Sequence, residues 1–121
     1  MPDGPDDPHT WPGATLVVRG GRRDVEHLTR VMARDGTWSV MSQPGVTFEG
    51  FAASVRNGIV RRTSVRAVHD AGGTLVPSRT GDAPPYHCDL SGLTAAALDA
   101  ILEPEEPNPV PASSRWRGNP R

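Results

Sequence analysis

The chain contains no lysine; all 13 of its Lys+Arg positions are arginine. Together with 13 glycines, 13 prolines and abundant Ala and Val, this composition points to a GC-rich bacterial genome. Cysteine is nearly absent. With Cys88 alone, no internal disulfide and no structural zinc site can form. Aromatics make up 5% of the 121 residues, so a folded core has few large side chains to draw on and a small stability margin. No apolar run approaches the ~20 residues of a membrane span. The start, Met1-Pro2-Asp3-Gly4-Pro5-Asp6-Asp7, is acidic and proline-rich, unlike a secretory signal. A cytoplasmic protein without membrane contact is the expectation. Also missing are the P-loop, G-x-G-x-x-G and H-E-x-x-H patterns, and the four histidines lack metal-ligand spacing. The sequence therefore predicts no metal.

What remains is periodic. Ala14–Arg19 reads as a buried strand, and Asp24 caps a helix through Val25, Leu28, Val31 and Met32 that ends at Asp35-Gly36. Thr37–Ser42 alternates as a strand. Thr47 caps a helix carrying Phe48, Phe51, Ala52 and Val55 at i, i+3, i+4 and i+7. A short strand at Ile59–Thr63, a Ser64-capped helix, and strands at Thr74–Val76 and Tyr86–Leu90 follow. Thr94 caps a last helix. The order predicts an α+β fold: a small mixed sheet of about five short strands with three to four short helices. Residues 1–13 read as a disordered lead-in, 14–102 as one domain, and 103–121 as a proline-rich tail of extended character.

Net charge is −1, but it is unevenly spread. Residues 19–66 hold nine arginines against four acids, which suits an acidic partner such as RNA; both flanking segments are acidic. The densest basic stretch is Arg19-Gly20-Gly21-Arg22-Arg23, between the first strand and first helix. Glycines there allow a close backbone approach, and arginine supplies a planar fork for phosphate. Arg19 is the sharpest of these, because it ends an apolar strand and its stem is expected to be packed. Ser39 faces away from Trp38 and Val40 and is placed to contact a ligand. Tyr86, Cys88 and Leu90 are expected on one face of their strand, with His87 and Asp89 on the other. His87, a proton-transfer group at neutral pH, is the candidate catalytic residue; Cys88 is expected as a core thiol.

Val18-Arg19-Gly20-Gly21 followed by Trp38-Ser39-Val40 resembles the first two landmarks of small bacterial ADP-ribosyltransferase-like toxin domains. Gly73-Thr74-Leu75-Val76-Pro77 and Pro84-Pro85-Tyr86-His87 look like the later part of type VI secretion effectors related to that fold. The resemblance implies NAD as the bound nucleotide. Arg19, with Gly20 and Gly21, would lie at its phosphates, Ser39 would line the nicotinamide pocket, and His87 would lie near the reacting centre. Tyr86 is a further candidate ligand-binding residue. The family's E/Q-x-E glutamate has no counterpart: Glu103-Pro104-Glu105 has the spacing but lies in the tail. Two other readings stay open. One is a metal-independent ribonuclease using Arg19 and His87; the other is a non-enzymatic module that meets a neutralising or partner protein through the C-terminal tail.

Overall fold

A computed structural model describes residues 7–21, 24–78 and 83–116. The elements, in chain order, are β1 (Leu16–Gly20), α1 (Val25–Asp35), β2 (Trp38–Met41), α2 (Phe48–Ala53), β3 (Ile59–Ser64), α3 (Val65–Asp70), β4 (Thr74–Pro77), β5 (His87–Ser91), α4 (Ala95–Ile101) and β6 (Glu106–Pro107). Single 3-10 turns occupy Pro8–Thr10 and Ala112–Ser114. The fold is α+β, as expected.

Each α-helix begins where a side-chain oxygen accepts an otherwise orphaned backbone N–H. Asp24 accepts from His27, Thr47 from Gly50, Ser64 from Ala67 and Thr94 from Ala97. Gly36, at φ 77°, closes α1 in the left-handed conformation that glycine tolerates best.

The six strands lie in the order β4-β5-β2-β1-β3-β6. Every pairing is antiparallel, which corrects the expectation of a mixed sheet of about five strands. The order of the strands gives the reason. β3 and β4, joined through α3, run in the same sense, as do β5 and β6, joined through α4, but neither pair is adjacent in the sheet, so no parallel pairing forms.

Alternation along the strands sends side chains to two cores. On one face Val17, Trp38, Val40, Leu75, Cys88 and Leu90 pack with Leu28 and Val31 of α1, Val65 and Val68 of α3, and Leu98 of α4. On the other, Val18, Met41 and Val60 pack with Phe51 and Val55. Trp38 is fully buried, and its indole N–H donates to the Leu28 carbonyl at 2.9 Å. Cys88 is a core thiol.

Both expected tails are partly built into the domain. Residues 1–6 lie outside the described part, but Trp11 is only 6% exposed and joins the larger core. With so few aromatics in the chain, the apolar area of this one outweighs the proline-rich setting. Beyond residue 103, Glu106 and Pro107 pair with Val60 and Ile59 as an edge strand, a position proline tolerates because it needs no inner N–H. Asn108 is buried. Its amide donates to the Ala52 and Asn57 carbonyls, both at 3.0 Å, and its Oδ1 accepts from Val110 N–H.

Candidate functional site

The site lies where β1 and β2 come apart. β1 pairs with β3 at five positions and β2 with β5 at four, but β1 and β2 share only Val18–Met41. Continuing that register would set Gly20 opposite Ser39. Instead the Arg19 guanidinium donates to the Ser39 carbonyl at 3.0 Å. On the other side of the shared pair, the Ser42 hydroxyl donates to the Leu16 carbonyl at 2.7 Å. Two side chains thus replace ladder bonds, and a cleft of about 250 Å³ opens beside the gap.

Arg19, Ser39 and His87 all line this cleft, from three different strands. Arg19 is 8% exposed, and its buried Nε has no hydrogen-bond partner among the described residues. No acidic side chain lies within ion-pair distance of it among the described residues. Burial pushes its pKa below the ordinary arginine value, yet a guanidinium starts so high that it stays charged.

His87 is held from both ring nitrogens. Nδ1 lies 2.8 Å from the Ser78 carbonyl and Nε2 lies 3.0 Å from the Ser39 hydroxyl. A carbonyl only accepts, so Nδ1 carries the proton. In the neutral ring Nε2 then presents its lone pair, and the Ser39 hydroxyl donates to it. Asp89 sits on the same strand face with Oδ1 3.8 Å from Nε2, where it would steady the imidazolium formed when the ring accepts a proton. Sequence spacing suggests Asp89 as the group that orients the ring; the Ser78 carbonyl does so instead.

Met41, Val55, Arg56, Pro84 and Trp116 are also among the residues that line the cleft. Trp116 is placed by its backbone N–H, which donates to the Ala53 carbonyl at 2.7 Å. The sequence shows Trp116 between two arginines in a tail but gives no reason to bring it here. Arg56 is likewise one arginine among thirteen until the fold turns it toward the cleft.

Two expected ligand residues are elsewhere. Tyr86 does not line the cleft. It has φ 67°, so it breaks the alternation of β5, and its ring packs edge-on against Phe51 at 5.6 Å between centroids. It thus sits on the opposite face from Cys88 and Leu90, with which it was expected to share a side. Gly21 turns the chain at φ 104° and gives its N–H to the Ile59 carbonyl, leaving no free donor for a phosphate. Gly20 does line the cleft, and it has a packing reason to be glycine. A Cβ there would come within 2.5 Å of the Asn57 side chain. Arg22 and Arg23 lie outside the described residues.

Four of the nine arginines in the basic middle segment are held in ion pairs. Arg30 pairs with Glu26, Arg34 with Asp35, Arg61 with Asp99 and Arg62 with Glu106. Two of these acids come from the acidic C-terminal part, which folds back over the basic one. Among the described residues, Arg19 and Arg56 are the arginines that line the cleft.

No group of three or more His, Cys, Asp or Glu side chains suited to a metal occurs among the described residues. None of the described helices is long and apolar enough to cross a membrane. No family model matches this chain, and neither does any curated protein or solved structure in the comparisons made.

Proposed function

We propose that the cleft binds NAD and that the chain transfers its ADP-ribose to an acceptor. The observation that carries this reading is the convergence of Arg19, Ser39 and His87 on one cleft, with the arginine buried and short of a partner. A cation removed from water without a counter-ion is expensive unless a ligand supplies the charge. A pyrophosphate would meet Arg19 and Arg56, and arginine suits that anion by its planar set of donors. Ser39 would line the nicotinamide pocket. Trp116 offers a flat face to a planar ring. The volume is below the ~300–1,000 Å³ of pockets that enclose a whole drug-sized ligand. The cleft would therefore hold one half of a dinucleotide, with the rest along its open mouth.

NAD supplies an activated glycosidic bond with a neutral leaving group. The chain's part is to hold the anion on Arg19 and to accept a proton from the incoming acceptor at His87 Nε2. Asp89, 3.8 Å from that nitrogen, would balance the charge so formed. This arrangement would replace the carboxylate that the resembling family places at its centre.

The test is nicotinamide release and ADP-ribose transfer by the purified protein. Arg19→Ala and His87→Ala should each lower activity by about 10²-fold or more. Cleavage of RNA without NAD, lost in His87→Ala, would instead make the protein a ribonuclease. A folded protein that neither binds NAD nor cleaves RNA would support the binding module.

A further inference from the structure

The cleft contains more than a binding surface. Ser39 is exposed, its hydroxyl donates to His87 Nε2 at 3.0 Å, and His87 is fixed in the matching tautomer by the Ser78 carbonyl at 2.8 Å from Nδ1. A hydroxyl within reach of a base, and a base held by a third group, is the arrangement that turns serine into a nucleophile. Simple solvation of Ser39 requires none of it. The third group is a neutral carbonyl, which fixes the tautomer as a buried carboxylate does, and Asp89 stands by to offset positive charge on the ring. The guanidinium bonded to the Ser39 carbonyl brings positive charge to the same residue.

We propose that Ser39 is a covalent nucleophile, activated by His87, that accepts acyl groups from small carboxylic esters, preferentially esters carrying a negative charge. The first step forms an Oγ–acyl bond and breaks the ester's acyl–oxygen bond. The Ser39 proton passes to His87 Nε2 and then to the leaving alcohol. In the second step His87 takes a proton from water, the hydroxide releases the acyl group as a carboxylic acid, and the proton returns to Ser39 Oγ. Water is the only co-reactant. The proposal does not depend on NAD.

The full chain is treated with a fluorophosphonate probe, whose fluoride leaves as Oγ bonds to phosphorus, and the adduct is located by peptide mapping. Labelling is expected at Ser39, absent in Ser39→Ala and slowed about 10²-fold or more in His87→Gln. Both variants are checked for an unchanged melting curve. Turnover is followed with 4-nitrophenyl succinate and 4-nitrophenyl acetate. The anionic ester is expected to react faster, and Arg19→Met should remove that preference. Wild-type protein left unlabelled under conditions that label a serine hydrolase control overturns the proposal. So does label on another residue, or labelling that persists at full rate in folded His87→Gln. Nicotinamide release without fluorophosphonate labelling would leave the NAD reading standing and remove this one.

Discussion

Arg19 and Arg61 are direct neighbours across β1 and β3, and both are buried, at 8% and 4% exposure. Replacing each by methionine should shift stability in opposite directions. Every nitrogen of the Arg61 guanidinium is hydrogen-bonded: Nε donates to the Glu103 carbonyl at 2.7 Å, one terminal nitrogen to Asp99 Oδ1 at 2.7 Å, and the other to the Asp99 and Leu102 carbonyls at 3.3 and 3.0 Å. It thereby caps the C-terminal end of α4, where the helix presents orphan carbonyls and a partial negative charge. Arg61→Met leaves Asp99 and those carbonyls without their donor and should cost about 3–5 kcal/mol. Arg19 makes one bond, to the Ser39 carbonyl, while its Nε is orphaned. Methionine removes the orphan, worth about 2 kcal/mol, and a comparable burden of burying an unpaired charge. It loses one charge-assisted bond, about 2 kcal/mol, and the freed Ser39 carbonyl can turn to water in the cleft. The net expectation is about 1–2 kcal/mol of stabilisation, or roughly 4 °C upward in Tm for each kcal/mol. Urea and thermal denaturation of both variants, without ligand, measure this. Inorganic pyrophosphate should raise the Tm of the wild type and leave that of Arg19→Met where it is. If Arg19→Met is destabilised by about 1 kcal/mol or more, the arginine is a structural group and the argument for an anion site loses its basis.

Other expectations concern the segment after residue 103 and the amino-terminal turn. Asn108→Ala strands the Ala52 and Asn57 carbonyls and the Val110 N–H and should cost about 2–3 kcal/mol by chemical denaturation. Hydrogen exchange should then rise in residues 106–116. Trp116→Ala should leave the melting temperature nearly unchanged, since this ring is only half-buried, but weaken NAD binding about tenfold in calorimetry. His69 stacks on His9 with centroids 4.6 Å apart, and its Nε2 is buried without a hydrogen-bond partner among the described residues. Burial first, then the neighbouring imidazole, holds its pKa below the ordinary value, against the pull of Asp70 and Asp7. The unfolded chain therefore takes this proton at higher pH than the native state does. His69's contribution is complete above the unfolded imidazole value of 6.5 and is lost as pH falls through it toward the lower native value. Urea midpoints between pH 8 and 5 should fall more steeply for wild type than for His69→Gln.

Local signals in the sequence were enough for the helices. Asp24, Thr47, Ser64 and Thr94 each cap as their side chains dictate, because capping involves atoms only a few residues apart. The antiparallel order was not legible, since pairing is decided by contacts distant along the chain. The His69 environment was not legible either, because its stacking partner, His9, lies in a segment that reads as disordered. At the site, Arg19, Ser39 and His87 could be picked out individually, by a charge ending an apolar strand and by polar positions alternating with core ones. Tyr86 could not be placed, because one residue at positive φ inverts the face its ring occupies. The Ser78 carbonyl is a backbone atom and leaves no mark in residue type, although it decides which nitrogen of His87 carries the proton.

The single rung between β1 and β2 divides the sheet into two three-stranded panels, β4-β5-β2 and β1-β3-β6. Arg19 belongs to one panel, and Ser39 and His87 to the other. A ligand touching all three is therefore a clasp across a hinge, and its binding energy opposes the opening of the panels directly. Amides bordering the hinge should exchange with solvent through this opening, well before the domain unfolds as a whole. Occupancy of the cleft should slow them together, so that hinge mobility reads out binding even where the ligand touches no backbone amide.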